Sequence, residues 1–179
     1  EWPLRFRLTR RWDGDEPGGG RILATAVTFL MCNPSTALAE EDDPTDRRCV
    51  GYAIRWGFGA LNIVNVCPRV AKNPIRLSAL AAVTEAEIQA LNRQVIRDTV
   101  RQARLVVCAW GNGAAYTPGG SDAAWQRYDE IRDSIWKPQC FGVTSLGHPR
   151  HPLYLKADRP LEHMPASRVV KVTRPGSAR

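Results

Sequence analysis

Residues 28–36 read Thr-Phe-Leu-Met-Cys-Asn-Pro-Ser-Thr, an apolar run that breaks abruptly into Asn33-Pro34-Ser35-Thr36. Shortly after it, Glu40-Glu41-Asp42-Asp43-Pro44-Thr45-Asp46-Arg47-Arg48 carries a helix-start signal, with Pro44 at a first helical position behind an Asp43 cap. A buried strand that stops in a polar turn ahead of a helix is how a parallel sheet delivers side chains to a site at its carboxyl edge. The stretch therefore predicts the first strand–helix unit of an α/β domain.

The pattern repeats along the chain. Residues 61–66, 105–110 and 140–144 are short apolar runs, closed respectively by Cys67-Pro68, by Gly111-Asn112-Gly113 and by the loop Leu146-Gly147-His148-Pro149-Arg150-His151-Pro152-Leu153. Helical intervals separate them. Val50, Ala53, Ile54 and Gly57 share one face; Ile88, Leu91, Val95, Ile96 and Val100 recur behind a Thr84-Glu85-Ala86-Glu87 capping box; Trp125, Tyr128, Ile131 and Ile135 share a face from about 121 to 136. Strands alternating with helices predict a mostly parallel sheet. At the start, residues 4–10 alternate apolar and polar, 13–20 are rich in turn formers and 22–31 reads as a return strand, which predicts an N-terminal β-hairpin. Residues 158–179 are polar, basic and Pro-containing, and are expected as a poorly packed tail behind a single domain at 1–157.

With 179 residues, 44% of them hydrophobic and 24% charged, the chain is long enough for one full core. No apolar run approaches the roughly 20 residues that span a bilayer, and no charged-then-apolar leader opens the sequence, so a cytoplasmic protein without membrane contact is expected. Five widely spaced cysteines without a C-x-x-C pair fit reduced thiols better than disulfides or structural zinc. A net charge of +7 suits a polyanionic partner, nucleic acid or a nucleotide. There is no Walker phosphate loop, no G-x-G-x-x-G after a strand, no G-x-S-x-G elbow and no H-E-x-x-H, so no cofactor and no metal are expected.

The strand ends bring the candidate chemistry. They supply Asn33, Pro34, Ser35 and Thr36; Asn65 with Cys67-Pro68-Arg69; Trp110-Gly111-Asn112; and His148-Pro149-Arg150-His151. Asn before Pro is also common in plain turns, whereas an amide at the end of an apolar strand is costly to bury unless paired, and its planar edge can read a nucleobase. His148 and His151 have i, i+3 spacing without a third ligand nearby, which favours acid–base or hydrogen-bond duty over metal. Asp42, Asp43 and Asp46 suit a helix start, yet one of them close to Asn33 could serve as a base. Arg47 and Arg48 could hold an anion in a planar fork. Cys32 and Cys49 read as small buried hydrophobes before they read as nucleophiles.

Two resemblances follow. Cys32-Asn33-Pro34-Ser35-Thr36-Ala37, Asp42-Asp43-Pro44-Thr45-x-Arg47-Arg48-Cys49, Trp56-Gly57-Phe58-Gly59, Val64-Asn65-Val66, Ala109-Trp110-Gly111 and Gly147-His148-Pro149-x-His151-Pro152-Leu153-Tyr154-Leu155, with Leu8-Thr9-Arg10-Arg11-Trp12, resemble the bacterial and phage family called domain of unknown function 1643 (DUF1643), over roughly residues 4–157. More distantly, the motif order is similar to the uracil-DNA glycosylase superfamily. There a G-x-N-P or G-Q-D-P loop positions water, a second strand ends in Asn, a third runs into Leu-Gly-x-x-Ala, and a fourth ends in H-P-S-P. This chain has Asn33-Pro34 without the glycine, Trp110 for the Leu, and Arg150 for the Ser. The aromatic that stacks on a base in that superfamily has no assigned counterpart; Tyr52, Trp56, Phe58 and Trp110 are candidates.

That resemblance implies a three-layer α/β/α fold around a four-stranded parallel sheet, and a glycosylase-like hydrolase that cleaves an N-glycosidic bond of a nucleobase. Asn33 would orient water with Asp42 or Asp43 assisting, Asn65 would read the base, and His148 or His151 would donate to the departing base. The alternatives are a non-catalytic nucleotide or nucleic-acid binding module, and a small-molecule enzyme using Cys32 or Cys49.

Overall fold

Strand β2, Ala26–Met31, is buried at every residue, and so is β3, Ala60–Asn65. A strand covered on both faces needs apolar side chains in both parities, which is why 26–31 reads as a continuous run rather than an alternation. A computed structural model of the chain describes residues 3–12, 26–35, 42–73, 75 and 85–168. Among them, the remaining strands are β1 Arg7–Arg11, β4 Leu105–Cys108, β5 Gln139–Cys140 and β6 Glu162–His163; the α-helices are α1 Pro44–Arg55, α2 Glu85–Arg101 and α3 Gly120–Asp129.

The sheet has six strands in the order β1-β3-β2-β4-β5-β6. Its four inner strands β3, β2, β4 and β5 pair in parallel, while β1 runs antiparallel to β3 and β6 antiparallel to β5. The expected four parallel strands are thus the centre of a larger mixed sheet. The expected N-terminal hairpin is corrected: β1 does not pair with the strand that follows it but with β3, Arg7 opposite Val64 and Arg11 opposite Ala60. The expected connection, 13–20, and residues 22–25 of the expected return strand lie outside the described residues.

Side chains of successive strand residues point to opposite faces, and two cores result. Phe29, Met31, Leu61, Ile63 and Val107 meet Cys49, Tyr52 and Ala53 of α1 on one face. Leu30, Val64, Val106 and Cys108 meet Ile96 and Val100 of α2 and Trp125 and Tyr128 of α3 on the other. Helices therefore cover both faces. The buried face of α1 runs through Asp46, Cys49, Tyr52 and Ala53, with Val50 partly buried against the same core, whereas Ile54, expected on that face, is 54% exposed. Tyr52 tolerates this depth because its hydroxyl donates to the Lys156 carbonyl at 2.5 Å. On α2 the sheet-facing side is partly polar, with Gln89, Asn92 and Thr99 buried and Leu91 exposed.

The fourth apolar run contributes only Cys140 to β5, because Gly142 at φ +84° turns the chain out of the sheet. The third helix ends at Asp129, and Ile131 and Ile135 complete its apolar face through a single 3-10 turn, Arg132–Ser134. Of the stretch expected as a tail, residues 158–168 are described: they supply β6, bury Met164, and tie Met164 N–H to the Pro138 carbonyl at 2.9 Å. Residues 169–179 lie outside the described residues. No helix of the described residues is long and apolar enough to cross a membrane.

The start of α1 is built as its sequence predicts. Asp43 has extended backbone and its carboxylate accepts from the Asp46 N–H at 2.7 Å, with Pro44 behind it. Asp43→Ala should lower the unfolding free energy by about 1 kcal/mol, and Asp43→Asn should restore most of it; urea unfolding of the three proteins checks both.

Candidate functional site

The chain leaves β2 for α1 on one face of the sheet and leaves the adjacent β4 for α3 on the other. Where neighbouring parallel strands send their connections to opposite faces, a crevice opens beyond their carboxyl ends. A cavity of about 430 Å³ lies there. Its wall includes Asn33, Pro34 and Ser35 after β2, Asn65 at the end of β3, Trp110 and Gly111 after β4, and Arg150 and His151 from the later loop. Thr36 lies outside the described residues.

The loops are tied to one another by backbone and amide bonds. Asn33 Nδ2 donates to the Pro34 carbonyl at 2.9 Å and to the Ala71 carbonyl at 2.8 Å, and Ala71 N–H returns a bond to the Pro34 carbonyl at 3.0 Å. Both amide hydrogens of Asn33 are thereby spent on holding two loops together, which leaves Oδ1 as its chemical offering. Gly111 sits at φ +64°, donates its N–H to the Pro149 carbonyl at 2.8 Å, and comes so near His151 that a Cβ would lie 2.9 Å from the His151 Cβ. Only glycine meets both demands.

The two histidines part company. His148 is fully buried behind the wall: its Nδ1 accepts from Trp110 Nε1 at 3.1 Å, so its Nε2 carries the proton and donates to Ser121 Oγ at 2.9 Å. Burial lowers its pKa to about 4, with Arg168 pushing the same way. Both ring nitrogens are occupied, and His148 is a mount for the Trp110 ring, not a lining residue. His151 does line the cavity. Its Nδ1 accepts from the Leu153 N–H at 3.3 Å, which places the proton on Nε2. Burial lowers its pKa to about 4 against the opposing pull of the Asp43 carboxylate, so at neutral pH it is an uncharged N–H donor.

The acids are also redistributed. Asp42 lies outside the cavity wall, its carboxylate held by Arg10 Nε at 2.6 Å. Asp43 lines the cavity while capping α1. Asp46 is the deepest, only 4% exposed, with Oδ2 unpartnered and its pKa pushed up to about 6, chiefly by burial and next by the negative charge of Asp43. A carboxyl poised near neutrality in a crevice suits proton transfer. Asn65, 3% exposed, likewise presents an unpartnered Oδ1. A buried carbonyl without a donor is costly, and a ligand N–H would relieve it.

Arg47 and Arg48 are not in this cavity; they line a second groove on the outer side of α1. Arg5 and Lys72 line the main cavity without having been singled out in the sequence, and Asn112 and Tyr154, which stand in the quoted motifs, line it as well. Asp46 falls three residues before Cys49 and seven before Ala53, the stripe α1 buries, and an acid on an apolar stripe was the available signal. The cysteines recede as nucleophiles: burial pushes the Cys32 and Cys49 thiols far up, which keeps them protonated. No group of three or more His, Cys, Asp or Glu among the described residues is arranged to hold a metal ion.

Asp46 gives stability a signed pH dependence. Its folded pKa of about 6 exceeds the unfolded value of 3.8, so the folded state holds the extra proton in that window and loses stability as pH rises through it. His148 and His151 act oppositely: with folded pKa values of about 4 against 6.5, they cost stability as pH falls from 6.5 toward 4. Asp46→Asn removes only the first effect. Its stability relative to the parent protein should therefore increase from pH 4 to pH 7, as measured by urea unfolding at each pH.

The family described as Protein of unknown function (DUF1643) matches residues 5–153. No curated protein and no solved structure matches the chain. On the strength of that match over most of its length, the chain belongs to the DUF1643 family.

Proposed function

We propose that this protein is a glycosylase-like hydrolase that cleaves the N-glycosidic bond of a nucleobase in nucleic acid or a nucleotide. The observation that carries the reading is the pair of buried, unpartnered oxygens, Asn65 Oδ1 and Asp46 Oδ2, on two residues that line one cavity of about 430 Å³. In this reading Asn65 Oδ1 accepts from an N–H on the base edge. Asp46 takes a proton from a water that Asn33 Oδ1 helps to orient, the role first expected of Asp42 or Asp43. The water oxygen bonds to the sugar C1′ as the C1′–N bond breaks, and its electron pair leaves on the base. His151 Nε2–H donates to that developing negative charge. Lys72 and Arg150, both exposed at the cavity wall, attract the phosphate.

Helices on both faces of four parallel inner strands agree with the likeness to the uracil-DNA glycosylase superfamily. Trp110 is fully buried with its indole N–H committed to His148, so it forms a wall and leaves base stacking to another ring. A non-catalytic binding module is the second reading, favoured by the commitment of both Asn33 amide hydrogens to backbone carbonyls.

Oligonucleotides bearing uracil, hypoxanthine or other altered bases, and the matching nucleotides, are incubated with the protein and assayed for free base and for alkali-labile abasic sites. Base release should rise with pH through about 6 as Asp46 ionises, and Asp46→Asn should slow it about 10²–10⁴-fold with binding retained. Undiminished release by Asp46→Asn removes that residue from the mechanism. Tight binding without base release from any substrate leaves the binding module.

A further inference from the structure

A second groove, of about 350 Å³, runs along the outer side of α1, walled by Arg47, Arg48 and Arg55. Arg48 and Arg55 are two helical turns apart on one face, with Gly51 between them. A Cβ built on Gly51 meets nothing within 4 Å, so the floor between the guanidiniums is open. Arg47 and Arg55, both exposed, each donate one N–H to a backbone carbonyl, of Asp42 and Ala157 respectively, which anchors the forks. Among the described residues no carboxylate is ion-paired with Arg47, Arg48 or Arg55. Three guanidiniums along an open trough, none ion-paired among the described residues, match a row of phosphates better than one compact anion.

This groove and the main cavity share Leu153, and the next residue, Tyr154, lies on the main cavity's wall. Tyr154 is 84% exposed, though its ring lies 5.9 Å from that of His151. A large aromatic left in water beside a basic trough is the combination by which proteins hold unpaired nucleic-acid strands, phosphates tracked by cations and a base stacked on a ring. We propose that the α1 groove and Tyr154 bind a single-stranded polynucleotide, its phosphates on Arg47, Arg48 and Arg55 and a base on Tyr154, so that the strand crosses Leu153 and delivers its next base to the cavity. The inference rests on the glycosidic reading of the cavity and narrows its substrate to a strand. A base within a duplex has both faces covered by its neighbours and offers none to Tyr154.

The test uses the full chain and a labelled 12-nucleotide single strand, the same strand annealed to its complement as a duplex closed at one end into a hairpin, and the free mononucleotide as competitor, followed by fluorescence anisotropy from 50 to 200 mM salt. The single strand should bind on the order of tenfold tighter than the hairpin or the mononucleotide. Arg48→Ala/Arg55→Ala should reduce the magnitude of the log–log salt slope by about 1.4, two phosphates at about 0.7 each. Gly51→Glu should weaken the single strand by at least about tenfold, and it improves helix propensity, so an unchanged melting curve separates loss of binding from loss of fold. Tyr154→Ala should weaken it by about tenfold with the salt slope unchanged. Equal affinity for strand and hairpin, or single-strand binding by the folded Gly51→Glu and arginine variants equal to the parent's, overturns the proposal. Base release from mononucleotides alongside such indifferent variants would sink the groove and leave the glycosidic reading standing; variant-sensitive strand binding with no base release would do the reverse.

Discussion

Parallel pairing of β2 with β4 is the interaction on which the rest depends. It continues past the ladder through the Ala109 N–H to Leu30 carbonyl bond at 2.8 Å, and on the other side of β2 through Val66 to Met31 and Cys67 to Cys32, each at 2.9 Å. These bonds carry three strand ends to one level before the chain turns away. Because α1 and α3 then cover opposite faces, neither can close the gap between them, and the crevice is a consequence of connectivity. Asn33, Asn65 and Trp110 reach it because each lies at or just beyond the end of a buried strand, Asn33 and Trp110 one residue past the hydrogen-bonded Cys32 and Ala109.

The same burial that stabilises the sheet sets the chemistry. Apolar surroundings disfavour charge of either sign, so they raise the Asp46 carboxyl and lower the His151 imidazole. Asp43 lies between the two effects: its charge raises Asp46 further and resists the fall of His151. One carboxylate, itself fixed as the cap of α1, thus biases both groups toward their protonated forms. The arrangement explains why an acid and a base can share a small crevice without forming an ion pair, since near neutrality His151 is uncharged.

Much of this was legible in order and little of it in depth. The apolar runs gave the strands and the Asp43-Pro44 pair gave the helix start, because those signals are local. The partner of β1 was not legible: alternation over residues 4–10 says which face is buried, not which strand lies alongside, and Val64 is far off in sequence. The helical face of α1 was misread because a hydroxyl-bearing Tyr52 and an acid at Asp46 were buried in preference to Ile54, outcomes that hang on a carbonyl at Lys156 and on the crevice itself. His148 and His151 are indistinguishable in the motif, flanked alike by prolines. Only Trp110 and Ser121, brought in by other elements, decide that His148 is sealed away.

That sealed histidine bears on how rigid the crevice is. Trp110 is held edge-on to Trp125, with ring centres 5.5 Å apart at 84°, tilted against Tyr128 at 5.7 Å, and pinned by its indole N–H to His148. The His148 backbone N–H is in turn bonded to Thr144 Oγ1 at 3.2 Å, and that hydroxyl donates to Asn112 Oδ1 at 2.7 Å. The loop after β4 and the loop carrying His151 are therefore cross-linked twice, once through the indole and once through the hydroxyl, in addition to the backbone contact at Gly111. A group on a loop is ordinarily free to move by more than a hydrogen-bond tolerance, whereas proton transfer demands placement within a fraction of an ångström. The redundancy of these ties is what a site on loops requires if His151 is to face a reacting atom without first being ordered by it.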